Sequence, residues 1–339
     1  MTEENKSSTN IFVEEIVPFV KEKYKKEIRE NDKDIISPYV ADLYFPEDKL
    51  VVVYKDLLYN SIGVHDTIDE LNAFRNALLK MDLRKKDKNI LKTCREKELN
   101  LFIIFENELI NPITRDIWKS MIHNKLNLNT EKYYARDCII KEVDSSIAKP
   151  FFINNHIQGN VQSTVKLGLF HKKTNELLSI LSMGRPRYNK NFGWEIIRFA
   201  SKKYTNVVGA GNKLFKHFLE KYAKNDNILT YANTRWSTNG AFYQKLGFTV
   251  KEDAQENYFY FKEDEKELKP RIAYQKHKLS KVLEKFDENL TEHENVLGYN
   301  LIPIEGEEGK FKSAHRQIYD AGNLVLHYMG EKNNGSKPN

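Results

Sequence analysis

The 339-residue chain has little cysteine and no long apolar run. Cys94 and Cys138 are its only cysteines, and they offer neither a disulfide framework nor a metal-ligand spacing, which favours a reducing cytoplasm. No apolar segment reaches the length of a membrane span, and residues 1–10 are too polar for the core of a signal peptide. These features predict a cytoplasmic protein with no membrane contact and no metal site.

A strong charge of one sign is also missing. Lys and Arg number 54 against 48 Asp and Glu, and the net charge is +6. Such a balance permits nucleic-acid binding without requiring it, because a local basic face matters more than the total. The length predicts two domains with a smaller appendage.

The most informative stretch runs from Tyr204 to Phe248. Its two glycines, Gly209 and Gly211, precede apolar residues at helical spacing, and residues 194–200 before them have strand character. A strand, a glycine turn and a helix N-terminus together make an anion site, because unpaired N–H groups point outward there. The expected anion-binding residues are Asn206, Gly209, Ala210, Gly211 and Asn212.

Two motifs in this stretch resemble those of GNAT-type N-acyltransferases. The first is Asn206-Val-Val-Gly209-Ala-Gly211, with Asn in place of the family's Arg or Gln, and the second is Tyr243-Gln-Lys-Leu-Gly-Phe248. The resemblance implies acyl-CoA as a cofactor, with its pyrophosphate on the first motif. It also implies that Tyr243 is the acid that protonates the CoA thiolate. Strands expected at 164–170 and 176–183 correspond to the start of the family's sheet.

The first 130 residues predict a small α/β or α+β domain. A helical pattern covers residues 11–28, and strand patterns cover 35–46, 49–54 and 101–105. Further helices are expected at 67–83, 86–98 and 112–126.

This region resembles the very-short-patch-repair-type nuclease fold of phage homing endonucleases. The likeness is carried by Glu30-Asn-Asp32, Ile35–Tyr39, Asp42–Pro46 and Phe105–Glu108, and it continues through the acyltransferase-like region nearly to the C-terminus. The family implies Mg²⁺ held by carboxylates with a histidine nearby. Of these positions only Asp42 is retained, since the others fall on Val13, Val53 and Asn60. The nuclease centre is therefore expected to be degenerate, and Mg²⁺ is implied only if it is active.

Four nearby residues are possible substitutes for the lost nuclease groups: Lys55, Asp56, His65 and Asp66. Two basic segments are candidates for nucleic-acid contact, because Arg and Lys bind phosphates and aromatic rings stack on bases. The candidates are Arg185, Arg187, Tyr188, Lys190, Arg235, Trp236, Lys269, Arg271, Lys276, Lys278 and Lys281.

The predicted organisation is a disordered segment (1–10), a degenerate nuclease-like domain (11–130) and a GNAT-like domain (131–262). A basic extension ending in a hairpin (263–330) and a tail (331–339) follow. The overall class is α/β (α+β).

The leading functional hypothesis is a phage DNA-binding protein derived from a homing endonuclease. The alternatives are a GNAT-type N-acyltransferase acting on a nucleobase or another amine, an active endonuclease with a rearranged site, and a partner-binding scaffold. Fold alone does not choose between them.

Overall fold

A computed structural model describes residues 11–63, 70–187, 189–253 and 255–330, with the side chains of residues 70–79 left out. The first module is built on a four-stranded sheet of order β1-β2-β3-β5. Its helices are α1 (Val17–Lys23, preceded by a π-helical turn, Phe12–Ile16), α2 (Glu70–Glu96), α3 (Glu106–Ile110) and α4 (Pro112–Lys125). Its strands are β1 (Arg29–Asp32), β2 (Ala41–Phe45), β3 (Leu50–Lys55), a short β4 (Ser61–Ile62) outside this sheet, and β5 (Asn100–Phe105).

The elements of this module largely follow the sequence pattern, with two differences. The helices expected at 67–83 and 86–98 are one continuous helix, α2, because no Gly or Pro separates them. The strand expected from residue 35 begins only at Ala41. The carboxylate of Asp32 accepts the amides of Asp34 and Ile35 and so holds a turn there.

The sheet of the first module is covered on both faces. Val51, Val53 and the α2 residue Ile90 pack on one face, whereas Val52 and Trp118 of α4 pack on the other. Strand β3 therefore reads as a continuous apolar run, as expected for a strand that is buried on both sides. Strands β3 and β5 pair in parallel, with α2 as the crossover between them.

The second module is a seven-stranded mixed sheet of order β13-β19-β12-β10-β9-β8-β7. A two-stranded parallel pair, β6 (Glu131–Tyr134) with β11 (Thr205–Val208), lies outside this sheet. The sheet strands are β7 (Cys138–Glu142), β8 (Val165–His171), β9 (Leu177–Gly184), β10 (Trp194–Ser201), β12 (Ile228–Asn233), β13 (Thr249–Asp253) and β19 (Asn323–Tyr328). Its helices are α5 (Ser145–Asn155), α6 (Ala210–Tyr222) and α7 (Ala241–Gln244).

The two expected opening strands are confirmed as the antiparallel pair β8 and β9. Helix α6 buries Leu214, Phe215 and Phe218 against one face of the sheet. Helix α5 buries Ala148 and Phe152 on the other face, and the side chain of Asp144 caps its N-terminus.

The expected C-terminal hairpin is wrong. Residues Arg316–Tyr319 form β18, which pairs with β4 and β14, whereas β19 pairs with β12 and β13 of the large sheet. Gly322 (φ +82°) turns the chain from one sheet to the other. The alternating apolar residues on both sides of Gly322 suggested a hairpin, but each strand buries its apolar face in a different core.

The residues between β13 and β19 therefore form an inserted unit rather than a terminal extension. It contains β14 (Tyr258–Phe261), β15 (Lys269–Pro270), α8 (Leu279–Val282), β16 (Leu301–Pro303), β17 (Phe311–Ser313) and β18. Strand β4 of the first module joins its sheet through β18, and Tyr260, Tyr274 and Leu279 form its core. Nowhere in the described ranges is a helix both long and apolar enough to cross a bilayer.

Candidate functional site

The main cleft of the second module opens where β10 and β12 separate. The two strands pair in parallel only from Trp194 to Ile196 on β10, and a register shift between Ile196 and Arg198 follows. Beyond that point no described strand pairs with the edge of β10 that faces β12. A cavity of about 210 Å³ lies in this gap, and Arg198, Tyr231, Asn233 and Tyr243 are among the residues that line it.

Tyr243, expected as a candidate acid, lies in this cleft. Burial raises the pKa of its phenol, while a hydrogen bond with Thr230 and the Arg198 charge act in the opposite direction. The phenol is therefore protonated at neutral pH and can donate a proton. Arg198 donates hydrogen bonds to the backbone oxygens of Ile197 and Gly159.

His156 and Gln158 also line this cavity. The backbone N–H of Gln158 donates to Nδ1 of His156, which leaves the ring proton on Nε2. Burial, together with a smaller effect of the neighbouring Arg198 charge, lowers the pKa of His156 to about 3. His156 is thus a neutral hydrogen-bond donor rather than a base.

The N-terminus of α6 is the expected anion site. Gly209 precedes the helix with φ +80°, and no side chain caps the first turn. Gly209 and Asn212 are exposed, Asn206 is half-buried on β11, and Ala210 and Gly211 are buried. A Cβ on Gly211 would lie 2.7 Å from the ring of Phe242. Gly211 therefore lets α6 pack closely against Phe242, and its place in the anion site stays a prediction.

A second cavity, of about 340 Å³, adjoins the first and shares His156, Phe199 and Trp236 with it. It lies between α4 of the first module and the end of β10. The first module contributes residues such as Asn100, Asn124 and Lys125 to its wall. The sequence carried no signal for this wall, because it depends on how the two modules pack.

Comparisons with known proteins give limited similarity. No protein family model matches the chain, and no curated protein matches it. A Bacillus subtilis acetyltransferase solved with CoA is similar over 57% of this chain and 98% of its own, at 12% identity and a TM-score of 0.30. A protein of Bacillus anthracis str. Ames that carries the name streptothricin acetyltransferase, solved with acetyl coenzyme A, covers 56% of this chain and 70% of its own. Its identity is 11% and its TM-score is 0.26.

The expectation that Arg235 contacts a phosphate is wrong. Arg235 is 5% exposed, and its guanidinium donates to both carboxylate oxygens of Glu108 in the first module. Trp236 is half-buried and meets the edge of Trp118 at 6.2 Å between ring centroids. Its ring still lines both cavities, where it can contact a ligand.

The two basic segments predicted to contact a nucleic acid, residues 185–190 and 269–281, are only partly available to one. Arg185 stacks on Trp194 and Lys269 lies near Glu265. Lys278 donates to the oxygen of Ile272, Lys190 to that of Pro186, and Arg271 lies over the ring of Tyr258. The exposed cations that form no ion pair in the described part of the chain include Arg187, Lys276 and Lys281. Tyr188 lies outside the described residues.

In the first module, the retained Asp42 is half-buried and accepts the amide of Tyr54 at 2.7 Å. Burial raises the pKa of this carboxyl. Val53 is buried in the core, whereas Val13 is exposed. Within the described ranges, no three His, Cys, Asp or Glu side chains are grouped to hold a metal ion.

Two of the possible substitutes for the nuclease groups are engaged elsewhere. Lys55 is buried and donates to Asp87 and to the backbone oxygen of Tyr319. Asp56 accepts the amides of Leu58 and Tyr59 in a turn. The other two, His65 and Asp66, lie outside the described residues.

Proposed function

We propose that the second module is a GNAT-type N-acyltransferase that moves an acyl group from acyl-CoA to an amine. The observation that carries this proposal is the position of Tyr243, which is protonated in a cavity at the point where β10 and β12 separate. The contact between Gly211 and Phe242 packs the first turn of α6 against α7, the helix that bears Tyr243. The expected anion site would therefore lie on the helix that packs against the one bearing the candidate proton donor.

The residues present fit acyl-CoA in two respects. The first turn of α6 has no side-chain cap, so its amides are free to bind an anion such as the CoA pyrophosphate. The unpaired edge of β10 offers backbone groups to an extended arm. Bound acyl-CoA would supply an acyl group activated as a thioester.

The proton transfers that accompany acyl transfer are carried out by side chains of the protein. The acceptor nitrogen gains the acyl carbon as the carbon–sulfur bond breaks, and the nitrogen loses one proton. Tyr243 donates its phenolic proton to the departing sulfur and is restored by the proton that the nitrogen gives up. The positive charge of Arg198, which acts to lower the pKa of the phenol, stabilises the negative charge that develops on the phenol oxygen of Tyr243.

Calorimetry with acetyl-CoA and CoA tests the proposal. The exposed Asn212 sits in the first turn of α6, and Asn212→Asp adds a like charge beside the pyrophosphate while suiting the helix dipole. We expect affinity to fall by roughly fivefold or more with no loss of stability. Asn31→Asp, exposed on β1 of the first module, is the matched control.

Tyr243→Phe gives the second readout. It should leave donor affinity unchanged and slow transfer, because only the phenolic proton is removed. If neither acetyl-CoA nor CoA binds at millimolar concentration, the proposal is excluded.

Nucleic-acid binding is the second candidate function. It is favoured by the exposed cations Arg187, Lys276 and Lys281, which form no ion pair with another described residue and suit a phosphate backbone. In this case the first module would serve as a docking platform derived from a nuclease.

A further inference from the structure

The two cavities of the cleft share an unusual charge pattern. Among the described residues that line them, none is Asp or Glu, whereas four are cationic: Lys125, Arg198, Lys202 and Lys203. Two of these cations are neutralised from outside the cleft, because Lys202 pairs with Glu176 at 2.6 Å and Lys203 with Asp116 at 2.5 Å.

The other two cations, Lys125 and Arg198, have neutral hydrogen-bond partners. Lys125 donates to the neutral Asn100 at 2.6 Å, and Arg198 donates to backbone oxygens. Neither has a carboxylate within ion-pair distance in the described part of the chain. Lys125 belongs to the wall that the first module contributes to the larger cavity, and Arg198 lines the smaller cavity together with Tyr243.

This pattern excludes one large class of acceptor. Polyamines, aminoglycosides and other polycations need carboxylates, and a cleft whose described lining has cations but no Asp or Glu disfavours them. A protonated amine would also need a base to become a nucleophile, and His156 cannot serve because its Nδ1 already accepts the amide of Gln158. An amine that is neutral at pH 7 meets neither obstacle.

The rest of the lining suits a flat, polar ring. Trp236 and Phe199 face both cavities, and aromatic side chains provide stacking surfaces for bases. His156 offers a neutral N–H donor, and the side-chain amides of Asn124 and Gln158 provide further polar groups. A volume of about 340 Å³ lies in the range of ligand-binding clefts.

We infer that the acceptor is the exocyclic amine of a nucleobase carried on a phosphate, with the base near Tyr243 and the phosphate toward Lys125. The inference rests on the proposed acyltransferase function but concerns the acceptor side of the cleft alone. The ligand is either a free nucleotide or a nucleotide unit of a single strand, since both present the same chemistry. The first module then acts as one wall of the acceptor site.

Binding without any acyl donor tests this directly. AMP, CMP, short single-stranded oligonucleotides and spermidine are titrated into the full chain by calorimetry. We expect the nucleotides or the oligonucleotides to bind and spermidine not to bind. Preference for the free nucleotide or for the oligonucleotide identifies the source.

Lys125→Gln should weaken nucleotide binding on the order of fivefold, because it removes an unneutralised cation from the wall. Lys92→Gln is the control, since Lys92 is exposed on α2 and, among the described residues, its one ion pair is with Glu96 at 3.8 Å. Equal binding by the Lys125 variant, or tighter binding of spermidine than of nucleotides, would overturn the inference.

A transfer assay separates the two proposals. With acetyl-CoA present, mass spectrometry should detect acetylated AMP, CMP or GMP but not acetylated UMP, which has no exocyclic amine. Nucleotide binding without acetyl-CoA binding refutes the acyltransferase and leaves a nucleotide site. Acetyl-CoA binding without nucleotide binding refutes the acceptor assignment alone.

Discussion

Arg235 and Glu108 form an ion pair with two hydrogen bonds, 2.9 and 2.8 Å long, between the two modules. Both side chains are buried, and Glu108 also accepts the indole N–H of Trp118 at 3.0 Å. The aromatic ring of Phe105 lies 4.2 Å from the guanidinium. This pair fixes the loop after β12, and with it Trp236, against the first module.

We expect Arg235→Met to lower the free energy of unfolding by about 3–5 kcal/mol, because it leaves the Glu108 carboxylate buried without its partner. Urea denaturation measures this loss. The double variant with Glu108→Gln should lose less than the sum of the single variants, since the unpaired charge is removed. Simple additivity would show that the pair does not couple the modules.

Gly211→Ala should destabilise the protein by about 1–3 kcal/mol, because its Cβ would lie 2.7 Å from the ring of Phe242. The gain in helix propensity of Ala over Gly offsets only part of this loss. Gly298→Ala is the control, since nothing lies within 4 Å of its added Cβ. Thermal unfolding of both variants decides the point, and equal Tm values would contradict the packing role of Gly211.

The buried His315 should make the free energy of unfolding depend on pH. It is 4% exposed, and burial lowers its pKa to about 4, with Lys262 and Lys269 acting in the same direction and Asp264 and Glu265 in the opposite one. Its unfolded pKa is about 6.5, so the unfolded state takes up the proton first and stability falls as pH drops from 6.5 toward 4.

Between pH 7 and 5 this residue should remove up to about 2 kcal/mol. His315→Gln has no such titration, and its free energy of unfolding should fall less over the same interval. Parallel pH profiles for the parent and the variant would rule this assignment out.

Asp42 gives a prediction for the first module. We expect purified protein with Mg²⁺ or Mn²⁺ to leave plasmid DNA uncut or nearly so, because Val13, Val53 and Asn60 stand where the resemblance to nucleases implies the other catalytic groups. Gel electrophoresis of the plasmid is the measurement. Strong cleavage that disappears in Asp42→Ala would restore the endonuclease hypothesis.

Nucleic-acid affinity should fall steeply with salt if Lys276 and Lys281 bind phosphates. Each contact on duplex DNA contributes about −0.9 to the log–log slope. Replacing both by Gln should reduce the slope by up to about 1.8, with Lys92→Gln unchanged as a control. An unaltered slope would remove this segment from the interface.

The sequence predicted best where local pattern decides the structure. Strand β8, strand β9 and helix α6 carry clear periodicity, and each formed close to its expected bounds. Tyr243, which its motif singled out, lines the cavity beside β12, and its role as an acid stays a prediction.

Long-range packing was beyond local pattern. The burial of Arg235 depends on Glu108, 127 residues earlier in the chain, and the wall formed by Lys125 depends on the same interface. Strand β19 carries the alternation of any half-buried strand, so its pattern did not say which sheet it would join.

Strand β19 also has a consequence for synthesis. It lies between β12 and β13, which are made about 70 to 100 residues earlier. Until the ribosome releases residues 323–328, both of those strands have an open edge, and open edges invite pairing with other chains. The large sheet is therefore completed only after these residues have been translated. A chain that stalls within the inserted unit would be prone to aggregation or to chaperone binding.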